Sequence, residues 1–263
     1  MLAAEITCAE TAARAAAAAI AAVDDTASSA KQDGTPVTAA DLAADGAIQA
    51  TIAAHFPSDQ ILSEESADSA ARREAERVWI IDPIDGTRAF INGCDEWAIH
   101  IALVINAELC LGLVAMPALG RTIIGIPASG TVYDDRNQAT PAPLAEPDTL
   151  VASRTANRSL EPIRAALPGF SFMRCSSVGV KAAHLLDGRC DSYVHNRPIH
   201  EWDAAAPAAL LQAAGFHATA LDGSALRWNT SDAQCPGLFF SRRDDHADLA
   251  ARLRAARVEV QAW

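Results

Sequence analysis

The sequence has no Cys-x-x-Cys pair and no cysteine–histidine spacing suited to zinc. Its six cysteines, Cys8, Cys94, Cys110, Cys175, Cys190 and Cys235, are scattered, which reads as reduced and mostly buried thiols in a cytoplasmic protein. A basic leader is missing too: the alanine-rich run Ala15 to Val23 is preceded by Glu5 and Glu10 and adjoined by Arg14. Nor does any apolar run reach the ~20 residues of a spanning helix, so neither a signal peptide nor a membrane span is expected. Positive charge is scarce, with 21 Lys and Arg against 33 Asp and Glu, a net charge of −12 and a pI near 4.9. That balance argues against general binding to nucleic acid or to an anionic membrane. A phosphorylated substrate stays open, because bound cations can reverse the local sign and a positive pocket can be local. Aromatic residues make up 5% of a chain that is 50% hydrophobic, mostly through alanine, and no internal repeat stands out. The composition is that of a soluble α/β protein.

What is present is enough chain for sizeable cores, 263 residues, in one large domain or two smaller layers. Residues 3–23 lack Gly and Pro and predict a first helix, ended by Thr26-Ala27-Ser28-Ser29. A polar loop, Lys31 to Pro36, then meets Thr38, three residues before Asp41, a capping-box-like start to a helix running to His55. Gln60 to Ser66 reads as a short strand ending in Glu64-Glu65. Residues 67–77 are charged and expected at the surface. Runs over 97–105, 109–116, 121–126 and 130–133 predict an antiparallel-leaning sheet. The Pro- and Asp-containing stretch 134–148 marks a boundary, dividing the chain into 1–145 and 146–263. Strands at 149–153, 170–175 and 190–195 then alternate with helices at 159–167, 180–186 and 203–214, an α/β rhythm.

The chain is organised around Val78-Trp79-Ile80-Ile81-Asp82-Pro83-Ile84-Asp85-Gly86-Thr87-Arg88. The apolar run Val78 to Ile81 reads as a buried strand, and since Pro83 cannot donate to a ladder the strand is expected to stop at Asp82. Asp85 follows across a Pro-containing turn, so both carboxylates can face one crevice. Gly86 and Thr87 lie where a short helix can begin, with free N–H groups and a hydroxyl for an anionic oxygen. Carboxylates for a hard cation beside amides for a phosphate point to metal-assisted phosphoryl chemistry. Alone, Asp-Pro and Asp-Gly are also ordinary turn dipeptides and Thr87 an ordinary cap. The reading therefore leans on acids elsewhere. Asp41 and Asp203 each sit at a helix start, which equally suits a residue favouring the positive end of the helix. Glu64-Glu65 stands just past a strand, where α/β sites collect ligands but solvated loops also occur.

Together, Glu64-Glu65, Asp82-Pro83-Ile84-Asp85-Gly86-Thr87 and Trp202-Asp203 resemble the signature set of the lithium-sensitive, magnesium-dependent phosphatases of the inositol monophosphatase superfamily. In that family eleven residues and a Gly-Gly follow the Trp-Asp pair; here Ala204 to Ala214 supply the eleven, then Gly215-Phe216, and the second glycine is missing. Within the superfamily the chain looks most like the bacterial CysQ-like 3'(2'),5'-bisphosphate nucleotidases. The pointers are Ser153-Arg154-Thr155, Ser176-Ser177-Val178-Gly179-Val180-Lys181, Glu201 to Pro207 and Asp222-Gly223-Ser224. Arg88, where simple inositol phosphatases tend to carry a small polar residue, suits a more anionic substrate, although histidinol-phosphate phosphatases can be basic there.

The resemblance implies a layered α-β-α-β-α sandwich of the inositol monophosphatase and sugar phosphatase type, cytoplasmic, either monomer or homodimer. It implies two or three Mg²⁺ ions, with Glu64, Asp82 and the Ile84 carbonyl holding one and Asp82, Asp85 and Asp203 a second. Asp41 and Thr87 are implied as the pair that orients and deprotonates the attacking water, with Glu64 the competing base. Gly86 and Thr87 amides are implied on the transferred phosphate, while Arg88, Arg154, Ser177, Gly179, Lys181 and Asp203 are the substrate-side candidates. Ser177 and Gly179 equally suit a helix cap, and Lys181 a solvated face. The small-molecule substrate implied is 3'-phosphoadenosine 5'-phosphate. Inositol phosphate, histidinol phosphate or fructose bisphosphate are alternatives, as is a non-catalytic nucleotide or metal sensor.

Overall fold

A computed structural model describes residues 2–23, 28–30, 36–136, 141–154 and 160–256. The expected helix stop at Thr26-Ala27, the loop from Lys31 to Thr35, and Asn137, Thr155 and Ser159 lie outside the described residues. In the first half come α1 (Ala3–Ala21), β1 (Ser28–Ala30), β2 (Pro36–Thr38), α2 (Ala39–His55), β3 (Gln60–Ser63), β4 (Arg77–Asp85), α3 (Thr87–Ile91), β5 (Ala98–Ile105), β6 (Glu108–Met116), β7 (Arg121–Ile126) and β8 (Thr131–Asp134). In the second come β9 (Thr149–Ser153), α4 (Leu160–Ala166), β10 (Ser171–Cys175), α5 (Val178–Leu186), β11 (Ser192–His195), β12 (Ile199–His200), α6 (Glu201–Ala213), β13 (His217–Thr219), β14 (Gln234–Cys235), β15 (Leu238–Ser241) and α7 (His246–Ala255). Strands β3 to β8 form a six-stranded sheet in sequence order, parallel only between β3 and β4. A five-stranded sheet runs β10-β9-β11-β15-β13, and β1/β2 and β12/β14 are short ribbons.

Strands this apolar are buried on both faces, and the period-2 alternation assigns each side chain to one of two cores. Trp79, Ile81, Ile99, Ile101 and Leu103 pack with Cys8, Ala12, Ile48 and Ile52 of α1 and α2. Their neighbours Val78, Ile80, Ala102 and Val104 face α5 and α6, which also cover Val151, Tyr193 and Phe240 of the second sheet. On that sheet's far face Leu150, Ala152, Val194 and Phe239 meet Ile163 of α4 and Leu249 and Leu253 of α7. The layers are therefore α, β, α, β, α, as expected.

The alanine bias has a steric use in the middle layer. Alanines 204–206, 208 and 209 of α6 are fully buried, and the helix lies so close to the first sheet that glycines are needed opposite it. A Cβ on Gly112 would sit 2.5 Å from the Ala209 Cβ and 2.6 Å from the Ala206 carbonyl oxygen, and one on Gly125 would sit 2.6 Å from the Leu210 Cα.

Three expectations are corrected. Strand β4 does not stop at Asp82 but continues through Pro83 to Asp85, with its register against β5 shifting between Asp82 and Asp85. Three residues on β4 there span two on β5, since Asp82 pairs with His100 and Asp85 with Ala98. Pro83 falls in this bulge, where a missing N–H breaks no ladder. Helix α6 starts at Glu201, two residues ahead of Asp203, because His200 is its N-cap. Residues 67–77 are not simply surface: a 3₁₀ turn at Ala70–Glu74 buries Arg72 completely.

Two glycine substitutions should part in sign. Gly112→Ala overpacks the α6 contact and should cost about 1–3 kcal/mol of stability. Gly46→Ala, in the interior of α2 with nothing within 4 Å of the added Cβ, should gain about 0.5–1 kcal/mol. Denaturant midpoints of both variants check this.

Candidate active site

A cleft of about 220 Å³ opens where the C-terminal end of β4 meets the start of α6. Of the residues singled out in the sequence, Glu64, Asp82, Ile84, Asp85, Gly86, Thr87, Arg88, Arg154 and Asp203 line it, with Ser153 and Ser176 on the same wall. In a regular strand, residues three apart point to opposite faces. The bulge at Pro83 supplies the extra residue that turns Asp82 and Asp85 to the same side. One carboxylate oxygen from each of Asp82, Asp85 and Asp203 lies within 4.8 Å of the others. Gly86, at φ +95°, makes the left-handed step into α3, and an added Cβ there would sit 2.9 Å from the Glu96 carbonyl oxygen.

Each carboxylate is held differently. Asp82 Oδ1 accepts the Ile84 N–H at 3.0 Å, while its Oδ2 is buried with no hydrogen-bond partner. Asp85 Oδ2 accepts the Ser177 hydroxyl at 2.5 Å and the Gly179 N–H at 3.1 Å. His100 Nε2 lies 3.3 Å from that oxygen without hydrogen-bond alignment, burial holding the imidazole toward its neutral form, and its Nδ1 is 3.3 Å from the Trp202 carbonyl. Asp41 caps α2 as the spacing predicts, its Oδ2 accepting from the Thr38 hydroxyl at 2.6 Å and the Thr38 N–H at 2.8 Å. The Thr87 hydroxyl is 3.3 Å from Asp41 Oδ1 and 3.0 Å from the Ile84 carbonyl.

Burial, reinforced by Glu64, Asp85, Asp203 and Asp41, pushes the Asp82 carboxyl well above the usual carboxylate range. Burial and the neighbouring Asp85 and Glu64 do the same to Asp203. A buried carboxylate oxygen without a donor, among other carboxylates, is a costly arrangement that a hard divalent cation relieves. All-oxygen donors, partly solvated, are the set such a cation takes. The residues present fit a metal.

Ser177, Gly179 and Lys181 are not in the cleft wall. Ser177 caps α5, its Oγ accepting from the Val180 N–H at 3.1 Å, and with Gly179 it grips Asp85 from behind. Lys181 is fully buried, donating to the Ser176 carbonyl at 2.6 Å beside the Tyr193 ring. Its surroundings contradict the solvated-face alternative: burial lowers the ammonium, with Cys175, Asp85 and Asp203 pulling the other way. Trp228 belongs to the core, 6% exposed.

Several supporting residues are given no role by the sequence, and all but Glu201 lie outside its motifs. Asp45 accepts from the Ser63 hydroxyl at 2.5 Å and the Ser66 hydroxyl at 2.8 Å, bracing the loop that presents Glu64. Glu201 accepts the Asn229 and Thr230 N–H groups at 2.7 and 2.8 Å, and Arg72 donates to Asn229 Oδ1 at 2.7 Å and to the Thr230 carbonyl at 2.9 Å. This ties the start of α6, and so Asp203, to the first half. The one readable hint is His100, a lone polar residue within the apolar strand β5.

The family model described as the inositol monophosphatase family matches residues 1–260. The chain belongs to this family. A 3'-phosphoadenosine 5'-phosphate phosphatase from Mycobacterium tuberculosis (strain CDC 1551 / Oshkosh) is 39% identical over 212 residues, 78% of this chain and 77% of that protein. Among solved structures, CysQ from Bacteroides thetaiotaomicron, a bacterial member of the inositol monophosphatase family, superposes with a TM-score of 0.74 at 26% identity, covering 91% of this chain and 98% of its own. The inositol monophosphatase from Anabaena (Nostoc) sp. PCC 7120 gives 0.78 at 26%, covering 95% of each chain. The inositol monophosphatase family is metal-dependent, in keeping with the acidic cluster. The missing second glycine leaves that cluster untouched: Gly215 ends α6 at φ +79°, and the Phe216 ring packs under the Arg242 guanidinium at 5.0 Å. No described helix is long and apolar enough to cross a membrane.

The raised carboxyls set a pH dependence for chelator-treated protein. With folded pKa values above the unfolded ones, Asp82 and Asp203 stabilise most below about pH 4, and that contribution is lost as pH rises through the folded pKa. Asp82→Asn should therefore raise the metal-free unfolding free energy by about 1–2 kcal/mol at pH 7, a gain shrinking toward pH 4. The stabilisation seen on adding a divalent cation should fall in the same variant. Thermal melts across pH, with and without the cation, test both; a pH-independent difference contradicts the assignment.

Proposed function

We propose that this chain is a Mg²⁺-dependent phosphomonoesterase that hydrolyses the 3'-phosphate of 3'-phosphoadenosine 5'-phosphate to AMP and phosphate. The observation that carries it is the convergence of Asp82 and Asp85 of β4 with Asp203 of the distant α6, with one Asp82 oxygen buried and unpaired. The name of the mycobacterial relative supports the substrate. So do Arg88 and Arg154 on the cleft wall, where two cations suit a bisphosphate better than a monophosphate. Two halves, 1–145 and 146–263, each give part of the cleft, and the enzyme works in the cytoplasm.

Glu64, Asp82 and the Ile84 carbonyl would hold one Mg²⁺, and Asp82, Asp85 and Asp203 would hold a second, with Glu64 also available to a third. Bound Mg²⁺ supplies a lowered pKa for the attacking water and stabilisation of the departing oxygen. The protein's own part begins with position. Ser177 and Gly179 hold Asp85 Oδ2 from behind, so its carboxylate does not swing away from the acidic cluster. The Asp41–Thr87 pair orients the water, and the carboxylate accepts the proton through the hydroxyl; Asp41 is itself held by the Thr38 cap. Backbone N–H groups of Gly86 and Thr87, at the first turn of α3, receive the transferred phosphate.

Purified protein should release phosphate from 3'-phosphoadenosine 5'-phosphate with Mg²⁺, faster than from inositol phosphate, and lithium should inhibit it. Asp85→Asn should lower kcat at least about a hundredfold with the circular dichroism spectrum unchanged. Faster turnover of inositol phosphate refutes the substrate, and full activity in Asp85→Asn refutes the site.

A further inference from the structure

Apart from the acidic cluster, one other set of charged groups meets at the cleft. Glu96 stands in the segment leading into β5. It accepts from Arg154 Nε at 2.7 Å and Nη2 at 2.5 Å, and from the Ser176 N–H at 3.0 Å. Arg154 and Ser176 line the cleft, whereas Glu96 is not in its wall. The three residues come from three segments, just before β5, just after β9 and just after β10.

An exposed ion pair contributes little stability, and the Arg154 side chain is 52% exposed. The value of this one lies in aim. Glu96 engages the Nε–Nη2 edge of the guanidinium, and the Nη1–Nη2 edge is outside that pair. That second edge carries the parallel N–H geometry that matches two oxygens of a phosphate. Without its carboxylate, a long arginine side chain samples many rotamers and loses entropy on binding. Although burial works against ionisation, hydrogen bonds from Arg154 and Ser176 hold the Glu96 carboxyl below its usual range, so the pair is charged at neutral pH. The Ser176 N–H fixes Glu96 in turn, and the next residue, Ser177, holds Asp85. The arginine is thereby referenced to the same turn that positions the acidic cluster.

We propose that Glu96 is a specificity-determining positioning residue, which holds Arg154 so that the guanidinium meets the second, unhydrolysed phosphate of a bisphosphate substrate. This rests on the nucleotidase reading above and adds the residue that discriminates a bisphosphate from a monophosphate.

The test compares 3'-phosphoadenosine 5'-phosphate with adenosine 3'-monophosphate, which lacks the second phosphate, in full-length protein with saturating Mg²⁺. Glu96→Ala should raise KM for the bisphosphate about tenfold while kcat stays within about twofold, so that the ratio of kcat/KM between the two substrates falls about tenfold. Glu96→Gln retains one acceptor oxygen and should recover part of that ratio, which also serves if the alanine variant folds poorly. Placed in an Arg154→Ala background, Glu96→Ala should change the ratio by less than about twofold, because the residue acts through the arginine. An unchanged ratio in both Glu96 variants overturns the proposal. So does a fall in kcat on both substrates with a raised Mg²⁺ requirement, which makes Glu96 a prop for Asp85 instead. A wild type inactive on the bisphosphate removes the nucleotidase reading and this inference with it; a wild type active on it with additive variants removes the inference alone.

Discussion

Like charge buried at one point is the constraint on which this structure turns. Carboxylates within a few ångströms of each other repel, and burial raises the energy of every ionised form. Left alone, such side chains would rotate apart or take up protons. Here they are denied the first option. Asp82 is pinned by its own bulge through the Ile84 N–H, Asp85 by Ser177 and Gly179 at the start of α5, and Asp203 by its place in the first turn of α6. The cluster is thus preorganised for cations at the expense of its own stability, a pattern common where a site has a job to do.

The layering makes this possible. Helix α6 is sandwiched between two sheets, and its alanines let it approach the first sheet closely enough that β6 and β7 need glycines opposite it. A bulkier helix would stand further off and carry Asp203 away from β4. The same economy of side-chain volume that makes the composition look featureless therefore sets a distance in the active site. Around this frame, polar ties hold the pieces in register: Asp45 braces the Glu64 loop, and the Arg72, Asn229, Thr230 and Glu201 network fastens the start of α6 to the first half. Asp45, Arg72 and Glu201 are buried and hydrogen-bonded on several sides, as buried polar groups must be.

The cleft is lined by side chains of both signs, the acidic cluster together with Arg88 and Arg154. In a chain of net charge −12, positive potential for a phosphorylated ligand has to be supplied locally. Arg154 is paired with Glu96, so the two together add no net charge. The turn at Ser176 and Ser177 reaches both the Glu96–Arg154 pair and the acidic cluster, one residue donating to Glu96 and the next to Asp85.

The sequence by itself determined the strand and helix rhythm of each half, the helix start at Thr38 with Asp41 in its capping box, and the Asp82 to Thr87 stretch as a lining of the cleft, because these depend on local periodicity, capping chemistry and short spacing; the layer count and the remote acids Glu64 and Asp203 came through the family resemblance. It misjudged the end of β4, since a proline is forbidden in a regular ladder but comfortable in a bulge, and only pairing with β5 reveals which applies. It left Ser177, Gly179 and Lys181 open between cap, surface and ligand, and tertiary packing decided: the first two close on Asp85 across 92 and 94 residues of chain, and the third is sealed beneath them. Asp45, Glu96 and Arg72 could not be found in advance, and His100 stood out only as a lone polar residue in an apolar strand. Their partners lie far away in sequence, and a lone polar residue acquires a role only when folding chooses what stands opposite it.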